Sequence, residues 1–272
     1  MPRLLRLSLA LIIALCGAVA VVRGVAAALP DGGQLAFVSA DDLLLLDVAS
    51  QLVINLTRRS PSGVTSAPQW SPDGSRIAFI IPGAMDIGVV EIPSLRLRNL
   101  TNTNNDNEST FVWSRDGLEI VYERRVFNTS TTEIYRTTLD GQRLRLFSSE
   151  RRADDLIWSP DDTLIGTRFV MTSGIRFQLI AFDGSGGHEV SADAVPDWLG
   201  QDATTEASLA AITGEDAAGV SAYDERTIAF VCERDAMQSG TICLINADGN
   251  NIRTIFTSEP RGVPYHLAWR PP

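Results

Sequence analysis

The chain contains no lysine: all 23 of its basic residues are arginine. Schiff-base catalysis and a phosphate-loop lysine are thereby excluded, because both need a primary amine on a long side chain. Histidine is nearly as scarce. The two copies, His188 and His266, have no carboxylate at a suggestive spacing, although a Ser-His-Asp relay can be assembled from distant residues. Cysteine occurs three times, at 16, 232 and 243, and the spacing matches no zinc pattern.

What is present begins with a targeting pattern. Arg3 and Arg6 precede an uncharged apolar stretch from Leu7 to Val22, and Ala26-Ala27-Ala28 then offers a small-residue cleavage site. Residues 1–28 therefore read as a secretory signal peptide. The alternative is a retained anchor, short at 16 residues against the roughly 20 of a spanning helix, with Arg23 snorkelling. A lipid attached at Cys16 fits poorly, since Leu15 stands where a small residue is needed. Without this segment the chain holds 20 basic and 33 acidic residues. Nucleic acid is not an expected partner, because phosphate binding needs a basic surface. Export would permit a Cys232–Cys243 disulfide, closing a loop of ten residues and contributing roughly 2–3 kcal/mol. Two buried free thiols in a hairpin are the equal alternative.

The dominant feature of the remainder is a repeat. Trp70-Ser71-Pro72-Asp73-Gly74 precedes the apolar run Arg76-Ile77-Ala78-Phe79-Ile80. Weaker copies read Trp113-Ser114-Arg115-Asp116-Gly117 before Glu119-Ile120-Val121-Tyr122, and Trp158-Ser159-Pro160-Asp161-Asp162 before Leu164-Ile165-Gly166-Thr167. Pro196-Asp197-Trp198 starts a fourth, separated from its strand Arg226 to Val231 by an insertion over 199–224. The tryptophans are 43, 45 and 40 residues apart, the period of one four-stranded propeller blade.

Each unit parses into short strands. Ile77, Ile120, Ile165 and Ile228 are equivalent, and Gln34 to Val38 supplies a further copy. Second strands follow at Leu43–Asp47, Ile87–Ile92, Glu133–Leu139, Arg176–Phe182 and Thr241–Asn246, bounded by Gly, Pro, Asn and Asp as strands are. Asp140-Gly141, Asp183-Gly184 and Asp248-Gly249 read as tight hairpin turns, and returning strands end in Asn55-Leu56-Thr57 and Asn99-Leu100-Thr101. The last unit ends at Trp269-Arg270-Pro271, whereas Pro30-Asp31-Gly32-Gly33 is the second half of the same turn. The expected fold is all-β: a propeller over 29–272 with five four-stranded blades, six if a blade is hidden, closed by N- and C-terminal strands sharing a blade. The insertion shows no strand pattern and reads as a decorating loop, with a short helix over Thr204–Ile212 capped by Asp202.

These WD-repeat-like units resemble the propeller repeats of the TolB family of the Tol-Pal envelope system, which also occur in prolyl oligopeptidase and dipeptidyl peptidase IV relatives. The likeness covers about residues 30–272 and is carried by Pro68 to Phe79 and Asn99-Leu100-Thr101. TolB itself has an α/β domain ahead of a six-bladed propeller, and the peptidases have a hydrolase domain; here the repeats occupy nearly everything after residue 28. The resemblance implies an exported, non-enzymatic scaffold in the periplasm or cell envelope, monomeric, binding a protein or peptide on a propeller face. The runner-up is a propeller enzyme acting on carbohydrate, by paired carboxylates or metal-assisted elimination.

Candidate side chains divide into packing and binding sets. Trp70, Trp113, Trp158, Trp198 and Trp269 occupy one repeat position and are expected to pack between blades. Glu108, Asp154, Asp155 and Asp193 lie three to five residues before their tryptophans. They are expected to converge on one mouth of the central channel, a negative ring that receives a basic peptide or a divalent cation. The polar stretch Asn102 to Glu108 lacks the spacing of a calcium loop and reads as solvated, and Asp183 to His188 reads as a turn. No catalytic residue and no cofactor is assigned.

Overall fold

The computed structural model describes residues 33–57, 64, 66–103, 106–153, 155–171, 174–200, 220–222, 227–234, 240–246, 252–259 and 263–271. The N-terminal segment 1–28, the Thr204–Ile212 helix with its Asp202 cap, the Asp248-Gly249 turn and Asp154 lie outside the described residues.

All strands pair antiparallel. The first sheet holds β1 (Gln34–Ser39), β2 (Asp42–Asp47) and β3 (Leu52–Asn55). The second holds β4 (Gln69–Trp70), β5 (Arg76–Ile81), β6 (Asp86–Glu91) and β7 (Arg96–Asn99). The third holds β8 (Asn107–Trp113), β9 (Glu119–Arg125), β10 (Thr132–Thr138) and β11 (Arg143–Ser149). The fourth holds β12 (Ile157–Trp158), β13 (Leu164–Met171), β14 (Gly174–Ala181) and β15 (Gly187–Val190), and the fifth β16 (Val220–Ala222), β17 (Thr227–Arg234), β18 (Gly240–Asn246) and β19 (Arg253–Thr257). The last strand, β20 (Tyr265–Trp269), returns to β1, with Leu35 opposite Trp269 and Ala36 opposite Ala268.

Burial explains the strand sequences. Residues 77–80 of β5 are all buried, because both faces of a middle strand lie under neighbouring sheets. Such a strand reads as an unbroken apolar run. Outer strands need no such run: β7 and β15 are largely exposed, and the arginines of β7 and β11 discourage pairing with another chain.

The Trp-Ser-Pro-Asp-Gly motif is a turn with its own fastening. Ser71, Ser114 and Ser159 each donate through Oγ to the aspartate two residues on, at 2.6 Å in all three copies. The same oxygen accepts the backbone N–H of Arg76, Glu119 or Leu164, at 2.9–3.0 Å. Gly74 and Gly117 take φ of +64° and +69°, and Asp162 holds the position in the third copy at +59°, where aspartate is among the few tolerated side chains.

These bonds carry an acid-stability signature. The Ser114 hydroxyl, helped by the Leu118 N–H, holds Asp116 below the usual carboxylate range, and Ser159 and Thr163 do the same for Asp161. A lowered folded value means stabilisation that is present above the unfolded value near 3.8 and is lost as pH falls through the folded one. Ser114→Ala is expected to cost roughly 1 kcal/mol at neutral pH. Unfolding titrations from pH 7 to about pH 2 should show less of the difference surviving at the acid end; a cost independent of pH would contradict this account.

Two expectations are corrected. Trp198 is not in a strand: it lies in a single helical turn, α1 (Asp197–Gly200). A Cβ at Gly166 would fall 2.7 Å from Trp198 Cζ3 and 2.6 Å from Leu199 Cδ1, so α1 covers β13 where that strand lacks a side chain. The insertion does contain a strand, β16. Ala222 stands opposite Ile228, as Trp70 stands opposite Ile77, Trp113 opposite Ile120 and Trp158 opposite Ile165. The fifth sheet thus fills the tryptophan position with alanine. Next along this sheet, Cys232 falls at an irregularity in β17 and forms a disulfide with Cys243 of β18, the Cα atoms 5.7 Å apart.

Candidate functional site

The tryptophans fasten sheets as well as fill space. Trp113 Nε1 donates to Gln69 O at 3.1 Å and Trp70 Nε1 to Ala268 O at 3.0 Å, each reaching the residue before the tryptophan of the preceding sheet. Gln69 Nε2 answers by donating to Phe111 O at 2.8 Å. The pattern stops at the fourth sheet, where Trp158 Nε1 is buried without a hydrogen-bond partner. Trp70, Trp113 and Trp269 are buried, whereas Trp158 is half-buried against Phe182 at 4.6 Å.

The Asn-Leu-Thr ends have a parallel role around an aspartate. Asn55 Nδ2 donates to Asp42 at 2.7 Å and Asn99 Nδ2 to Asp86 at 2.6 Å. Thr57 and Thr101 accept the N–H groups of Leu43 and Ile87 through Oγ1, at 2.8 and 2.9 Å. Asp86 gathers more donors than Asp42, since Thr103 reaches it through both N, at 2.8 Å, and Oγ1, at 2.9 Å.

Glu108 lies beside this cluster, at the start of β8, opposite Arg124 of β9. It is 0% exposed. Its Oε1 accepts from Thr103 Oγ1 at 3.0 Å, while Oε2 has no hydrogen-bond partner. Burial pushes the carboxyl up to about 8, with the Asp86 charge adding to the rise and Thr103 and Arg124 opposing it. Arg124 is meanwhile held by Asp106, through Nε at 2.8 Å and through Nη2.

Glu123, a neighbour of Arg124 on β9, is also 0% exposed. Neither of its oxygens accepts a hydrogen bond, and Arg152 Nε stands 3.9 Å away. Burial raises its proton affinity as well. Adjacent strand residues face opposite ways, and the cores on the two sides differ accordingly. Tyr122 packs with the second sheet, whereas Val121, two residues from Glu123, packs with the fourth.

Of the other predicted carboxylates, Asp155 and Asp193 are described. Asp155 pairs with Arg168 Nη2 at 2.7 Å, and Asp193 is exposed in a 3-10 turn (Ala192–Ala194). No hydrogen bond or ion pair among the described residues joins Glu108, Asp155 and Asp193. Burial pushes the Glu108 carboxyl up to about 8, which works against its adding charge to a negative ring at neutral pH. Of the histidines, His188 is exposed on β15 and His266 is half-buried, its proton affinity lowered by burial alone. An open depression of about 550 Å³ lies between β10 and the fourth sheet, lined by Arg136, Leu164, Phe182 and Asp183 among others. Arg136 sits 4.7 Å over the Phe182 ring and 3.6 Å from Glu119.

Asp86, Arg124 and Glu123 were not singled out in the sequence, and Thr103 and Asp106 only as part of the polar stretch Asn102 to Glu108, read as solvated. A signal existed for the first: Asp42 and Asp86 each precede an apolar strand and lie 13 residues before the asparagine of Asn-Leu-Thr. Glu123 was marked by its position, because the matching residue of β5 is Ile80.

Four-stranded antiparallel sheets of this sequence pattern, fastened strand to strand near their first edges, define a β-propeller. TolB from Acinetobacter baumannii has this fold: it superposes with a TM-score of 0.59 at 15% identity, over 88% of this chain and 67% of that one. A putative TolB from Agrobacterium tumefaciens (TM-score 0.40, 19% identity, 88% of this chain, 90% of that one) and an oligogalacturonate lyase in complex with manganese (0.47, 15%, 70% and 50%) are more distant and carry no weight here. No protein-family model and no curated protein matches the chain. At this identity the likeness shows the fold alone.

Proposed function

We propose that this chain is an exported, non-enzymatic propeller of five blades, closed where β20 joins β1, that binds a protein or peptide partner in the cell envelope. The N-terminal pattern from Arg3 to Ala28 supports export. Among the described residues no helix is long and apolar enough to cross a membrane. The observation that favours binding over catalysis is the placement of the two carboxylates, among the described residues, whose proton affinity is raised. Glu108 and Glu123 are both closed off between sheets at 0% exposure, where a substrate has no access, and an acid–base pair must reach its substrate.

The partner-binding charges are assigned to Asp154, Asp155 and Asp193 at the channel mouth, and Glu108, sealed at 0% exposure, is left out of the set. A basic peptide or a divalent cation suits such a mouth. Affinity capture from envelope extracts of the host tests this, comparing the tagged chain with an Asp154→Asn, Asp155→Asn, Asp193→Asn variant. A saturable protein partner retained by the first and lost by the second is expected. Equal capture by both would remove the mouth from the proposal, and turnover of oligosaccharides by the protein would replace the adaptor with a carbohydrate-active enzyme.

A further inference from the structure

A proton count is left open where the second sheet meets the third. Thr103 Oγ1 lies 2.9 Å from Asp86 Oδ1 and 3.0 Å from Glu108 Oε1. A hydroxyl has one hydrogen to donate. It can satisfy one of these carboxylates, and it then turns a lone pair toward the other unless that group brings its own proton. Asp86 has other donors in Asn99 Nδ2 at 2.6 Å and Thr103 N at 2.8 Å. Glu108 has none for Oε2, and its side chain is sealed from water.

The charged and titratable groups around Glu108 come from each packed element. β6 supplies Asp86; β9 supplies Arg124 and Tyr122; the connection into β8 supplies Asp106, which takes up Arg124. Behind them on β10, Tyr135 stacks on Tyr122 at 5.8 Å, with Arg124 5.4 Å over its ring. Three carboxylates, each less than a tenth exposed, therefore stand near one guanidinium, that of Arg124, whose side chain is 23% exposed. Arg143 of β11 interacts with Tyr122, and ionising all three carboxylates is costly because Glu108, at 0% exposure, has no water around its charge.

We propose that Glu108 is held as the neutral acid in a proton latch, donating to Thr103 Oγ1, which donates in turn to Asp86, and that loss of this proton parts the start of β8 from β6. On ionisation the proton leaves for solvent, and the Thr103 hydroxyl is left between two anions. The irregularity in β8 between Glu108 and Phe111 allows the first residues of the strand to move without unpairing Trp113. The rise of the Glu108 carboxyl to about 8 through burial agrees with this geometry. The latch holds whatever the propeller face binds, so it stands or falls separately from the adaptor reading.

Carbon-13 NMR of the glutamate side-chain carboxyls in the full chain, from about pH 5 to pH 10, tests it, with Glu108→Gln to assign the signal. The Glu108 carboxyl should titrate near pH 8. Through the same transition, hydrogen exchange of the Thr103 and Glu108 amides, corrected for intrinsic rate, should lose at least about tenfold protection. These amides donate to Asp86 at 2.8 Å and to Met85 O at 2.9 Å. In Glu108→Gln, whose amide imitates the neutral acid and still donates to Thr103, protection should stay flat.

Global stability should follow the same sign. A folded value raised above the ordinary 4.5 gives stabilisation complete below about pH 4.5 and lost as pH rises toward 8, the folding constant falling about tenfold per pH unit in that window. The glutamine variant should lack this component. A Glu108 carboxyl already ionised at pH 6.5, or equal loss of protection in the variant, overturns the proposal. Should Glu108→Gln not fold, the wild-type titration still decides.

Discussion

Removing β20, by ending the chain after Pro264, is expected to abolish cooperative unfolding. Leu267 and Trp269 belong to the core shared by the first and fifth sheets, and burial losses of this kind cost about 3–5 kcal/mol for a tryptophan and 2–5 for a leucine. The backbone losses add to this. Trp70 Nε1 loses Ala268 O, Gln34 O loses the Arg270 N–H at 2.9 Å, and Gly74 O loses Arg270 Nε at 3.0 Å. Together these exceed most of the 5–15 kcal/mol that keeps a domain folded. Circular dichroism against temperature should show a broad, weak transition where the intact chain shows a sharp one. A sharp transition within a few degrees of the intact protein would mean that the remaining sheets hold without this strand.

The second large effect separates two residues that look alike in sequence. Trp113→Ala should destabilise by about 3–5 kcal/mol through lost burial. Trp113→Phe keeps most of the ring's apolar area but leaves Gln69 O without its indole donor, at a cost of roughly 1–3 kcal/mol. Trp158→Phe removes an N–H that has no partner, so the same change should be near neutral or slightly stabilising. Urea unfolding of the two phenylalanine variants makes the comparison. Equal costs would show that the indole bonds play no part in joining the sheets.

The contrast also marks what could be read in the chain. The strands, the turns and the shared position of Trp70, Trp113, Trp158 and Trp269 were legible because each depends on local chemistry: an apolar run, a positive φ, or a serine two residues before an aspartate. Trp198 misled for the same reason. Its local string matched, but an insertion moved it onto Gly166, and Ala222, which has no signature, took the strand position. Glu108 was legible as a carboxylate and not as a buried one. Its state depends on Asp86 and Arg124, which the fold brings to it from 22 and 16 positions away in sequence, and nothing next to it in the chain announces either. Asp154, Asp155 and Asp193 were chosen by distance from a tryptophan, which fixes where a residue enters a strand and leaves open which way its side chain turns.

The pairing of β1 with β20 also sets an order of events during synthesis. Gln34 and Arg270, bonded at 3.1 Å, are 236 residues apart, so the first sheet lacks its fourth strand until almost the whole chain has emerged. Contacts this distant form late and slowly. Once β20 is made, a single strand completes the first sheet and gives Trp70 its carbonyl.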